Sequence, residues 1–133
     1  MKKLNDNKQM KDVWKLPAIA PWEKSCTKLP TQKPMSVLTR IILASIKPDA
    51  WILGPFSGSS TTGIAANLLN SRFVGIDIEK EYLDISIARK KEIENSDTAD
   101  SYRSKIKGFQ GKSNLGKYLV EEPSAEYSVE DFL

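Results

Sequence analysis

The chain has no histidine and a single cysteine, Cys26. The first absence excludes a His-based catalytic centre or an imidazole-built zinc site, and the second excludes an internal disulfide framework. No apolar run approaches the roughly 18 residues that a membrane-crossing helix requires. The stretch from Met1 to Met10 is polar and lacks the apolar core of a signal peptide, which predicts a cytoplasmic protein. Internal repeats are also missing. Hydrophobic residues nevertheless make up 40% of the 133 positions, enough for the core of one small domain or part of a larger one.

The net charge is only +3, but it is unevenly spread. Residues 1–40 carry nine Lys or Arg against three acids, whereas residues 120–133 carry five acids and no base. A basic leading segment suits a polyanion such as DNA, and it equally suits a solvated lysine-rich tail.

Residues 50–78 carry the densest pattern. Trp51 to Leu53 is a short apolar run, and Gly54 to Thr62 is a turn made almost wholly of small residues. Gly63 to Leu69 has the spacing of a buried helix, with Ile64, Leu68 and Leu69 on one side. Arg72 to Ile78 reads as a second strand. The pattern predicts a βαβ unit whose first turn lies where an open parallel sheet holds a ligand. Backbone N–H groups at a helix N-terminus reach a polar ligand only if no side chain stands between, which is what small residues provide. The hydroxyls of Ser57, Ser59, Ser60, Thr61 and Thr62 can also cap the helix. Asp77, at the predicted end of the second strand, follows Gly58 by about 20 residues, the spacing at which an acid meets a ribose in nucleotide-binding sheets. Gly58 and Gly63 have P-loop spacing, but Ile64 and Ala65 stand where that motif needs Lys and Ser or Thr, which argues against a nucleoside triphosphate.

Around this unit, residues 1–12 read as a flexible basic segment. Asp12 to Trp22, broken by Pro17 and Pro21, reads as extended or irregular; Trp14 and Trp22 can stack on bases, cover a pocket or simply pack. Glu23 to Leu29 reads as a polar connection. After Thr31-Gln32-Lys33-Pro34, the residues Val37, Leu38, Ile41, Ile42 and Ile46 predict a helix, capped by Thr31 or Ser36 and ended by Pro48-Asp49. Its N-terminus, carrying Lys33, is a ready site for a carboxylate or phosphate. Glu79 to Asn95 predicts an amphipathic helix with Tyr82, Leu83, Ser86, Ile87 and Lys90 along one face. Ser96 to Ser101 reads as a linker, residues 102–118 have no firm assignment, and the acidic end reads as a loose tail or a docking edge segment.

Taken together, residues 13–94 resemble the cofactor-binding part of β-class amino-methylating DNA methyltransferases, the adenine-N6 and cytosine-N4 modification methylases of restriction systems. The resemblance rests on Thr31-Gln32-Lys33-Pro34, on Gly54-Pro55-Phe56-Ser57-Gly58-Ser59-Ser60-Thr61-Thr62-Gly63, and on Phe73-Val74-Gly75-Ile76-Asp77-Ile78-Glu79-Lys80-Glu81-Tyr82, in that order. It implies a partial Rossmann-like α/β fold that binds S-adenosylmethionine over residues 13–95. By resemblance, Thr31, Gln32, Lys33 and Pro34, with the turn Phe56, Ser57, Gly58, Ser59, Ser60, Thr61 and Thr62, surround the methionine end. Asp77 holds the ribose and Ile78 faces the adenine. Double-stranded DNA is the implied partner of the complete enzyme.

The chain departs from the family at three places in the expected pocket. Gly54 stands where Asp is usual, Ser60 where Gly is usual, and Leu29 where His is usual. Losing a charged hydrogen bond at position 54 costs roughly 1.5–3 kcal/mol. The chain also contains no Pro-Pro pair, and so lacks the short Pro-Pro motif that holds the amino group of a flipped base. In this class that motif and the recognition region precede Thr-Gln-Lys-Pro, which places them upstream of Met1. The expectation is therefore the cofactor-binding C-terminal portion of a site-specific DNA adenine-N6 methyltransferase, without catalytic residues and inactive alone, either a separate subunit beside an N-terminal methylase half or the remnant of an interrupted gene. Its rivals are a degenerate non-catalytic remnant or interaction module, a cytosine-N4 methyltransferase portion, and a nucleotide-binding domain of another class; Thr31-Gln32-Lys33-Pro34 argues against the last, having no role in a dinucleotide fingerprint.

Overall fold

The computed structural model describes residues 13–24, 32–47 and 49–106. The basic segment 1–12, Thr31, Leu29 and the acidic end lie outside the described residues. Two four-residue strands, β1 (Trp51–Gly54) and β2 (Arg72–Gly75), pair in parallel with Trp51 opposite Arg72 and Leu53 opposite Val74. Helix α2 (Thr61–Leu68) connects them, and the expected βαβ unit is formed. Helix α1 (Met35–Ser45) precedes β1, while α3 (Lys80–Glu94) and α4 (Ser96–Lys105) follow β2. Helix α2 lies at the centre, against α1, α3 and both strands.

The core is drawn mostly from α2. Ile64, Ala65, Ala66, Leu68 and Leu69 are buried, joined by Met35 and Ile42 of α1, by Ala99 of α4 and by Ile106. A buried Ile or Leu contributes about 1.5–3 kcal/mol, so this short helix anchors the domain through its side chains. It starts two residues earlier than the spacing predicts. It ends where Asn70 takes the left-handed conformation (φ 57°) and the Ser71 N–H returns to the Ala66 carbonyl at 2.9 Å. Asn tolerates that conformation at a helix end better than most residues.

Helix α1 differs from expectation in its cap and its buried face. Its N-cap is Pro34, which makes no side-chain capping bond, and Ser36 lies inside the helix; the other expected cap, Thr31, is outside the described residues. Glu23 instead reaches over from a 3-10 turn (Pro21–Lys24), and its Oε2 accepts the Met35 N–H at 2.7 Å. The anion site expected at this helix N-terminus is thus taken by the protein's own carboxylate. Glu23 Oε1 also accepts the Ala20 N–H, and the Glu23 carbonyl accepts a hydrogen bond from Gln32 Nε2 at 2.8 Å. The buried stripe runs through Met35, Thr39 and Ile42, whereas Ile41 is exposed. Thr39 can be buried because its hydroxyl bonds the Met35 carbonyl one turn back. The helix ends at Ser45, before Pro48-Asp49.

The supposed linker Ser96–Ser101 is the first part of α4. Asn95 caps it, its side chain accepting the N–H groups of Asp97 (2.9 Å) and Thr98 (3.2 Å). Tyr102 packs against Trp22, the ring planes tilted by 52° with 5.2 Å between centres, so Trp22 packs structurally. Trp14 lies under the Arg40 guanidinium at 5.1 Å. On α3 the inward face runs through Tyr82, Ser86, Arg89 and Ile93, while Ile87 and Lys90 point to solvent.

The Phe73 ring is wedged among three glycines. A Cβ on Gly54 would stand 2.7 Å from its Cζ, one on Gly75 2.8 Å from its Cε1, and one on Gly63 2.5 Å from its Cδ1 and 2.6 Å from Ser60 Oγ. Alanine would favour an α2 helix by about 1 kcal/mol over glycine. Overpacking against a ring already held on two other sides costs about 1–3 kcal/mol. Gly63→Ala is therefore expected to lower stability in urea unfolding; equal or higher stability would show that the ring gives way.

Candidate functional site

The turn between β1 and α2 is tied down from two directions. From the sheet side, the ladder continues past the formal strands: the Ile76 N–H donates to Gly54 O and the Ser57 N–H to Ile76 O, both at 2.9 Å. Asp77 therefore lies two residues beyond β2, on an ordered extension of it. Its Oδ2 accepts the Gly58 N–H at 2.7 Å, and its Oδ1 accepts the Glu79 N–H at 3.2 Å. From the helix side, Ser86 Oγ donates to Gly58 O at 3.0 Å, and Arg89 Nη1 donates to Ser59 O at 2.6 Å and to Thr61 Oγ1 at 3.0 Å.

These bonds hold an uncommon backbone. Gly58 has φ 50°, and a Cβ there would meet nothing within 4 Å. Ser60 has φ 55° and serves as the N-cap of α2 without a side-chain capping bond. A non-glycine residue in this conformation costs about 1–2 kcal/mol. The Ser60 side chain is buried and turned toward Gly63, so it does not stand over the open side of the turn. Ser59 Oγ and Thr61 Oγ1 lie 3.2 Å apart. Ser57 Oγ is buried without a hydrogen-bond partner. The first N–H groups of α2 have no intrahelical acceptor, as at any helix start. The arrangement can therefore offer several donors to an anionic or carbonyl group, with a carboxylate at its edge to accept hydroxyl protons.

Flanking the contact between Gly58 and Asp77 are Phe56 and Ile78, 92% and 94% exposed, the two most exposed large apolar side chains among the described residues. The structure thus brings the turn from Phe56 to Thr61 together with Asp77 and Ile78. Of the Thr-Gln-Lys-Pro stretch, Gln32 is buried and bonded to Glu23, Lys33 is exposed, and Pro34 is half-buried at the head of α1. Arg89 is not apparent from the sequence, because an arginine on a charged helix reads as a solvated position. Only its spacing from Tyr82 and Ser86, at 82, 86 and 89, marks it as inward-facing.

The N–H of Gly58, then that of Glu79, hold the Asp77 carboxyl below the usual carboxylate range, with desolvation opposing and the Ile78 N–H adding to the shift. A carboxyl whose folded value is lowered contributes stability above its unfolded value near about 3.9, and loses it as pH falls through the folded value. Asp77→Asn is therefore expected to be less stable than the natural chain at pH 7 and at pH 5, with the difference narrowing below about pH 4. Urea midpoints across that range check this; a difference undiminished in strong acid would contradict it.

A family model described as DNA methylase matches residues 1–89. The chain is 56% identical over 93 residues to the type II methyltransferase M2.MboI of Moraxella bovis, covering 70% of this chain and 34% of that protein. It is 58% identical over 96 residues to the type II methyltransferase M2.DpnII of Streptococcus pneumoniae, covering 71% and 35%. Among solved structures, the M1.HpyAVI–SAM complex aligns with a TM-score of 0.52 at 34% identity, covering 63% of this chain and 42% of that one. The chain spans about a third of the length of the curated relatives it matches. The fold is thus part of a Rossmann-like methyltransferase domain. With the family model matching residues 1–89 and these relatives more than half identical over the aligned stretch, the chain belongs to the N6/N4 DNA methylase family.

Proposed function

We propose that this chain is the cofactor-binding, C-terminal portion of a site-specific DNA adenine-N6 methyltransferase that works in the cytoplasm. Bound S-adenosylmethionine supplies an electrophilic methyl group for an exocyclic amine of a flipped base. The chain's own residues bind and orient. The turn Phe56–Thr62 and the first N–H groups of α2 take the methionine end, with Lys33 and its neighbours Thr31, Gln32 and Pro34 alongside. Asp77 keeps lone pairs beyond its bonds to the backbone, and these can accept ribose hydroxyls. Ile78 offers an apolar face for the adenine. The open space over Gly58 and the orphan hydroxyl of Ser57 support the fit.

The observation that carries this reading is the Gly58–Asp77 hydrogen bond, which sets donors and an acceptor side by side at the head of α2. Cytosine-N4 methylation uses the same amine chemistry and is the alternative target.

The base-holding Pro-Pro motif is not among these residues, so methyl transfer requires a further methylase segment, such as a separate N-terminal half, which would also engage double-stranded DNA. The open face of the sheet suits such a partner. Trp51, Leu53, Val74 and Ile76 are exposed there, and parallel sheets are ordinarily covered on both faces. A second reading, a non-catalytic interaction module, is favoured by Gly54, where an Asp side chain would collide with Phe73 as it stands.

Calorimetric titration of S-adenosylmethionine into the purified chain is expected to show saturable, one-to-one binding. A folded chain that takes up none would overturn the cofactor reading and favour the interaction module. With DNA and labelled cofactor, the chain alone is expected to transfer no methyl groups; transfer above background would show that it carries catalytic residues of its own.

A further inference from the structure

Helix α3 reaches the turn with two side chains three positions apart. The single hydroxyl proton of Ser86 is shared between the Gly58 carbonyl, 3.0 Å from Oγ, and Tyr82 O of its own helix at 2.8 Å. Arg89 is 4% exposed, and one nitrogen, Nη1, donates to both Ser59 O and Thr61 Oγ1. Two successive carbonyls of the turn are therefore directed at α3. In a planar trans peptide the N–H points opposite to the carbonyl that precedes it. Holding Gly58 O against α3 turns the Ser59 N–H away from α3. Holding Ser59 O directs the Ser60 N–H back across the turn, where it donates to Ser57 O at 2.8 Å. Burying a guanidinium is costly unless its protons are satisfied, and here it is spent on a four-residue turn that contains a left-handed serine.

We propose that Arg89, assisted by Ser86, is a positioning residue for cofactor binding: it fixes the peptide planes of Gly58 and Ser59, and so the direction in which the turn and the head of α2 present their N–H groups. Neither residue touches the ligand. The proposal rests on the reading of this turn as the S-adenosylmethionine site, and its test separates the two.

Arg89→Met fills the space without a donor. Arg89→Lys restores a charged donor at this position, and in the natural chain one nitrogen makes both turn contacts. Hydrogen exchange of the segment Gly58–Thr62 is measured without cofactor, and S-adenosylmethionine affinity by calorimetry, with circular dichroism to check folding. Arg89→Met is expected to speed exchange of the turn and weaken binding by about tenfold or more, the effect of a lost hydrogen bond to a charged donor. Arg89→Lys is expected to recover most of both. Natural exchange in Arg89→Met overturns the proposal, and so does an Arg89→Lys variant as impaired as Arg89→Met, which would mean that shape and not the donor matters. Should Arg89→Met fail to fold, Ser86→Ala carries the test: faster exchange at the turn supports the brace and unchanged exchange overturns it. If the natural chain binds no cofactor while the exchange pattern holds, the cofactor reading fails and the brace stands.

Discussion

The hydrogen bond from the Gly58 N–H to Asp77 Oδ2 joins two stretches nineteen residues apart, and the rest of the site depends on it. It closes the turn over the end of β2, so that the donors at the head of α2 and the carboxylate beyond the sheet share one edge. Because its acceptor is charged, this bond is stronger than a neutral one and shifts the acid toward its ionised form. A short parallel pair of strands could not hold such an edge alone, since two strands make a marginal sheet. The burial of α2 against α1 and α3, with Ala99 of α4 in the same core, supplies what the sheet lacks.

Polar groups used inside the protein shape this domain as much as its apolar core does. Glu23 fills the N-terminus of α1, Arg89 holds the turn, and the Arg103 guanidinium donates to the Leu68 carbonyl at the far end of α2 at 3.0 Å. Each long side chain satisfies backbone groups that a helix end or a turn leaves without partners. The two ends of α2 are thereby both tied to the helices that follow β2. Ser60, which departs from the glycine usual in the family, is accommodated by the same means: its side chain is buried and its strained backbone is over-determined by neighbours.

The βαβ unit was legible in the sequence because its signals are local: an apolar run, a turn of small residues, the spacing of Ile64, Leu68 and Leu69, and a second apolar run. The chain distance from Gly58 marked Asp77 as an acid at the far end of the unit, but not the hydrogen bond that joins the two. What escaped was non-local. Nothing adjacent to Pro34 shows that Glu23 would cap α1, and the polar composition of Ser96–Ser101 conceals a helix that begins on an Asn cap and is held by Ala99 and Tyr102 against distant partners. The same reasoning placed Lys90 where Arg89 belongs, since hydropathy gives both the same weight and only the packing of α3 on α2 distinguishes them.

Amide chemical-shift mapping of the labelled chain during addition of S-adenosylmethionine tests the central claim most directly. Shifts are expected to concentrate at Gly58–Gly63 and at Asp77–Glu79, with α4 and the sheet's open face undisturbed. Shifts confined to α4 or to the face bearing Trp51 and Leu53, or none at all in a folded chain at saturating cofactor, would contradict it.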